Sequence, residues 1–452
     1  MEIKDFILTP IYLTLIYLGL FILRKRIVKE PELRRYFIPA ITLKIIGALA
    51  VGIIYQFYYD GGDTYGYFTN GSRHIWEAFL NHPMKGIQLL AESGERYNPN
   101  TLEYSQKIDY YGNPPAYLIV KISALFGLFT FHTYAVNAIF FALFSFSGVW
   151  VLFITFYRLY PHLHKQFAIA CFFIPSLFFW GSGLLKDSVT FGALGWSLFC
   201  LYQIFILKKD IIRFGIILLI SLYLLKVIKI YILICFIASV LIWIVMNYNT
   251  QIKSKTIKGL FKPIFLIISL SLGLLLAYKL SEDNNAYRFD KILETSQATS
   301  SWLMAASKMG SEHGSYYDLG EFEMTPLSVL SKLPAAIWVS LFRPYPWESK
   351  NIVMFLSSIE SLFFFFFTMI AIFRSNILNA ISTIRKDPFV LFLLIFSLTF
   401  AFAIGFSTWN FGALVRYRIP IIPFYLAAII IIQDASRRAK IIKRLKAKLA
   451  AA

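Results

Sequence analysis

Four short polar segments interrupt a chain that is otherwise mostly apolar. The first is Asp60-Gly-Gly-Asp63-Thr-Tyr65-Gly-Tyr67, placed where a long apolar run ends. A carboxylate can take a proton from a hydroxyl or hold a cation. Asp60 and Asp63 therefore offer a general base and a metal or substrate ligand, with glycines freeing the backbone around them. The plainer alternative is a solvated turn, because Asp-Gly pairs are ordinary turn formers. The second segment, Gly181-Ser-Gly-Leu-Leu-Lys186-Asp187-Ser188, sets an ammonium beside small residues at the expected start of a helix, where it can hold a phosphate. Its alternative is that Lys186 snorkels and Asp187 caps the helix.

The third is Leu341-Phe-Arg343-Pro-Tyr-Pro-Trp347-Glu348. Two prolines and two aromatics make a rigid turn that presents Arg343 and Glu348, although interfacial aromatics are also ordinary anchors. The fourth, Arg416-Tyr-Arg418-Ile-Pro-Ile-Ile-Pro423, opens the last apolar run with two arginines, whose guanidinium forks bind phosphate bidentately. Acid–base groups beside anion-binding groups suit a substrate that carries a leaving phosphate and an acceptor hydroxyl. The six histidines show no metal-ligand spacing: His162 and His164 share one loop, and His74, His82, His132 and His313 are scattered. Cys171, Cys200 and Cys235 all lie in apolar runs, which implies neither a disulfide nor a thiolate metal site. No phosphate-binding loop, dinucleotide fingerprint, nucleophile elbow or zinc-protease motif is present.

The elements that must position these segments are membrane spans. Of 452 residues, 58% are hydrophobic and only 15% charged, with mean hydropathy +0.63, which excludes a soluble enzyme, a disordered chain and a disulfide scaffold. Runs of about 20 apolar residues are needed to cross a bilayer. The expected fold class is an all-α polytopic bundle of about eleven spans: 6–23, 37–59, 134–157, 166–181, 187–207, 211–226, 229–246, 262–280, 352–373, 388–407 and 417–433. The sequence Lys226-Val-Ile-Lys229 divides 211–226 from 229–246, and two lysines in mid-membrane are costly, so it is expected to be a hairpin tip at the surface.

The net charge of +19 invites a nucleic-acid partner. Its placement argues against one, because the basic residues gather in short loops and tails such as Arg24-Lys25-Arg26, Lys208-Lys209 and Arg437 to Lys448. That is the pattern of cytoplasmic loops. With the N-terminus outside and the C-terminus cytoplasmic, every strongly basic loop falls on the cytoplasmic side, and loops 60–133 and 281–351 fall outside. Segments 72–90 and 115–131 within the first outer loop are expected to lie in the interface rather than to span. Three regions follow: 1–35 (an extra N-terminal span and basic loop), 36–434 (the transmembrane domain) and 435–452 (a basic tail).

At the level of architecture and short motifs, the chain resembles the GT-C superfamily of integral-membrane glycosyltransferases, which use polyprenyl-phosphate-linked sugars. Asp63-Thr-Tyr65 matches that family's Asp-x-Tyr element after an outward span, 72–90 and 115–131 match its two surface helices, and Arg416-Tyr-Arg418-Ile-Pro matches the start of a late span. The resemblance implies Asp63 as general base and Asp60 as a second carboxylate or metal ligand. It also implies a divalent cation (magnesium or manganese) as an optional cofactor, and binding of the lipid phosphate by Lys186, Arg343, Arg416 and Arg418. Implied partners are a polyprenyl-linked sugar donor, a glycan or lipid-linked acceptor and membrane lipid. The expected location is a bacterial cytoplasmic membrane. Span 6–23 precedes the family's usual first span, and no sizeable outer domain follows the last one. Two other readings stand beside this one: a Wzy- or EpsG-like polysaccharide polymerase or ligase built on outward arginines, and a lipid-linked-sugar flippase or transporter.

Overall fold

A computed structural model describes residues 2–250, 294, 298, 316–320 and 325–451. The described residues are helical almost throughout. Among the described residues, seven helices are long and apolar enough to cross a membrane: α1 (Ile3–Ile27), α2 (Pro31–Phe57), α8 (Tyr134–Leu159), α11 with its π-helical extension (Lys186–Leu207), α12 (Ile211–Asn249), α15 (Ile352–Arg374) and α17 (Pro388–Ser407). An eighth is added if α18 (Phe411–Tyr417) and α19 (Ile421–Ala450) make one span bent by 64°. The protein is therefore a multi-pass membrane protein. Expected span 262–280 and most of loop 281–351 lie outside the described residues.

Two expectations about the spans differ from what is observed. Run 166–181 is not one helix. The chain instead forms α9 (His164–Phe172) and α10 (Pro175–Phe179), with Ile174 extended between them. Pro175 explains the break, since proline has no N–H to donate and disfavours helical backbone in the residue before it. Runs 211–226 and 229–246 are divided as expected, by a kink at Lys229, whose backbone is non-helical (φ −147°, ψ 77°). Lys226 is exposed, but Lys229 is buried and ion-paired with Asp187, so the pair of lysines is not a surface tip. The expectation failed because a carboxylate from another helix replaces the water that Lys229 was assumed to need.

Expected segments 72–90 and 115–131 are helical, as α4 (Arg73–Asn81) with α5 (Pro83–Ala91) and as α7 (Pro114–Thr130), and the first loop also contains α3 (Asp63–Tyr67) and the short α6 (Leu102–Ser105). The tail 435–452 continues the last helix through Ala451. The chain divides into two compact units, Met1–Lys229 and Ile230–Ala452.

In the first unit α8 is the central helix, packed on α2 and α11. A Cβ on Gly148 would lie 1.9 Å from the Gly192 carbonyl oxygen, so these backbones touch only because the residues are glycines. Small-residue contact of this kind is how helices associate where lipid removes the hydrophobic drive. In the second unit α17 packs on α14 (Leu333–Phe342) and on α19. Ser340 Oγ donates to the Ala401 carbonyl at 2.6 Å, and Phe392, Phe396, Phe400 and Phe424 form a continuous run of ring contacts.

Candidate functional site

The loop after α2 is shaped by its glycines. Asp60, Gly61 and Gly62 all have positive φ (52°, 120° and 108°), a region in which only glycine is at ease. The Gly61 N–H still reaches back to the Tyr55 carbonyl at 2.8 Å, which folds the loop over the end of α2. Asp60 is exposed, while Asp63 is half-buried at the first turn of α3. The Tyr110 hydroxyl donates to Asp63 Oδ1 over a long 3.5 Å. Tyr65 reaches back to α2, donating to Gln56 Oε1 at 3.0 Å and the Gly52 carbonyl at 3.2 Å. Its ring stacks on Tyr134 at 4.4 Å, and the Tyr134 hydroxyl pairs with Thr64 Oγ1 at 2.7 Å. Burial, with Asp5 nearby, raises the Tyr65 phenol well above its ordinary value, so it stays protonated. Tyr65 thus orients the loop, a role that spacing alone does not reveal.

The Gly181–Ser188 segment is held by two buried lysines. Lys44 of α2 donates to the carbonyls of Leu177 (3.0 Å) and Gly181 (2.6 Å) and to Ser145 Oγ (3.1 Å). Leu177 lies in the last turn of α10 and Gly181 just beyond it, so the ammonium sits at that helix's C-terminus. A Cβ on Gly47, one turn along α2, would sit 1.7 Å from the Phe178 carbonyl oxygen, so α10 lies directly on the α2 backbone. Lys186 is half-buried at the start of α11. Asp187 does not cap the helix. It is 2% exposed and ion-paired to Lys229. Both lysines were sequence signals in their own right, since a charge inside an apolar run needs a partner.

Asp63 and Lys186 both belong to the first unit, and their neighbours share one packed cluster. Leu184, Val189, Tyr67, Tyr134 and Ile228 form its buried core, and Tyr65 and Tyr110 pack against it.

The second unit brings Arg343, Glu348 and Arg418 together in a different environment. Arg343 is ion-paired with Glu348 and lies over the Phe411 ring at 5.0 Å. Arg418, expected to face outward, is 1% exposed. It donates to the Arg343 carbonyl at 3.0 Å and Ser361 Oγ at 2.8 Å, and it is ion-paired with Glu360 of α15 at 3.4 Å. Two of its three guanidinium nitrogens are thus engaged by internal partners, while Nε is buried without one. Arg418 also lines a cavity of about 10 Å³ with Phe364 and Tyr425, room for roughly one water and far short of a sugar. Arg416 is half-buried on α18.

Among the described residues no group of three His, Cys, Asp or Glu side chains is placed to hold a metal ion. Asp60 and Asp63 alone make an incomplete oxygen set for magnesium or manganese, and no chemical step below depends on one. No family model matches the chain, and neither a curated protein nor a solved structure does so.

Proposed function

We propose that the protein is a membrane glycosyltransferase that moves a sugar from a polyprenyl-phosphate or polyprenyl-diphosphate carrier to a hydroxyl of a glycan or lipid-linked acceptor. The reading places this chemistry on the outer face of a cytoplasmic membrane, in envelope glycan assembly. One observation carries it: Asp63, a half-exposed carboxylate just beyond the end of a span, on a loop whose tyrosines share a packed cluster with the residues beside Lys186.

In this reaction Asp63 takes the proton of the acceptor hydroxyl as its oxygen attacks the anomeric carbon. The bond from that carbon to the phosphate oxygen breaks, and the carrier leaves as its phosphate. Lys186 stabilises the charge that develops on the leaving oxygen. Asp60 orients the acceptor and Tyr65 holds the loop to α2.

The test is sugar transfer by purified wild type and Asp63→Asn with mono- and diphosphate polyprenyl donors, after matching their thermal stability. Loss of transfer in the variant supports the assignment, since an amide cannot accept the proton. Full activity in the variant removes Asp63 as base.

A lipid-linked-sugar transporter is the second reading, favoured by buried ion pairs beside broken helices: Asp187–Lys229 next to the α10–α11 break and Arg418–Glu360 at the bend between α18 and α19. Intramembrane charges and discontinuous helices mark transport pathways. Translocation of a labelled lipid-linked sugar in liposomes, without any transfer, selects this reading over the first.

A further inference from the structure

Helix α16 (Ile377–Lys386) connects two spans, α15 ending at Arg374 and α17 beginning at Pro388. Both neighbours leave the hydrocarbon here, so α16 lies at the level of the headgroups. It packs against α17 and α19, yet Ile377, Leu378 and Ile381 are 64%, 74% and 42% exposed. These three lie within about 100° of arc on the helix, which makes one apolar face turned away from the protein.

The surroundings of that face are basic. Arg374, Arg385 and Lys386 are exposed. The last helix runs alongside, with Lys440 Nζ donating to the Arg374 carbonyl at 2.5 Å. From 435 to 451 it carries Arg437, Arg438, Lys440, Lys443, Arg444, Lys446 and Lys448 and no acidic residue. Two carboxylates lie nearby: Asp387 accepts the Phe389 N–H at the start of α17, and Asp434 pairs with Arg438.

We infer that α16 and the basic end of the last helix form a docking surface for anionic phospholipid. In this arrangement Ile377, Leu378 and Ile381 sit among the upper acyl chains while Arg385, Lys386, Arg437 and Lys440 hold the phosphate groups. Charge complementarity selects an anionic headgroup, and the position between two span ends selects a bilayer. The surface is independent of the Asp63 chemistry.

The full-length protein is reconstituted into nanodiscs of equal phosphatidylcholine and phosphatidylglycerol, and the lipid retained on extraction is counted by native mass spectrometry. Wild type is expected to retain several-fold more phosphatidylglycerol, with the preference falling at high salt. Neutralising Arg385, Lys386, Arg437 and Lys440 to Gln is expected to lower the preference by roughly tenfold, since each surface cation contributes appreciably to anionic-lipid binding. Equal retention by wild type, or an unchanged preference in the variant, overturns the inference. Should that variant not fold, Leu378→Cys carrying an environment-sensitive dye reports independently. Quenching by lipid-borne spin labels supports insertion of the apolar face, and quenching by aqueous iodide alone overturns it.

Discussion

Lys229 and Asp187 form an ion pair in the interior of the first unit, where Lys229 is 6% and Asp187 2% exposed. Lys229 is also the one residue with non-helical backbone in the helix Ile211–Thr250. The pair therefore ties a helix break to the start of α11. Removing one partner strands the other charge away from water, at a cost of roughly 3–5 kcal/mol. Lys229→Met and Asp187→Leu are each expected to lower the thermal midpoint in detergent strongly. The double variant Lys229→Met/Asp187→Leu is expected to recover most of that loss. A double variant as unstable as the sum of the singles refutes the coupling.

Asp63 and Tyr65 should separate by readout. Asp63→Asn is expected to abolish sugar transfer with no change in melting temperature. Tyr65→Phe removes the bonds to Gln56 and Gly52 and is expected to cost about 1 kcal/mol of stability. It should keep transfer and its pH profile. Loss of transfer in Tyr65→Phe at unchanged stability would mean that the phenol, not its anchoring, matters.

Arg418→Met leaves Glu360 buried without its guanidinium, and a loss of roughly 3–5 kcal/mol is expected. Pairing it with Glu360→Leu should restore most of the stability, because two matched apolar groups desolvate nothing. A stable Arg418→Met single variant that loses donor binding would instead return Arg418 to the phosphate role its sequence position suggests. Unfolding midpoints and donor titrations on the same samples decide between them.

His132, in the turn between α7 and α8, gives the clearest pH dependence. Burial, with Lys4 and Arg73 nearby, holds its imidazole down at about 3. It stacks on Phe68 at 4.0 Å, and its Nε2 pairs with Ser72 Oγ at 3.1 Å. The folded state thus keeps a neutral imidazole while the unfolded chain takes up a proton near 6.5. This contribution to stability is complete above about 6.5 and declines as pH falls from there through about 3. Melting scans between neutral and mildly acidic pH should show wild type losing stability faster than His132→Gln. Parallel curves would remove His132 as a source of the acid sensitivity.

Membrane class, helical architecture and most element positions were readable from composition and apolar run length, because a lipid-facing helix must be apolar along its whole length whatever it packs against. Asp63 and the glycines before it were readable for a similar reason: a turn at a span exit has a local chemistry. Lys186, Arg343 and Arg418 were readable as cations but not as to their surroundings. The sequence shows that Lys229 and Arg418 are charged, whereas burial and partner are properties of other helices. Asp187 lies 42 residues from Lys229 and Glu360 lies 58 from Arg418, too far apart for spacing to pair them. The break at Pro175 was within reach of the sequence, since proline acts locally. That Lys44 closes the end of α10 was decided only when tertiary packing brought Gly47 of α2 against Phe178, because an ammonium satisfies whichever carbonyls the fold sets beside it.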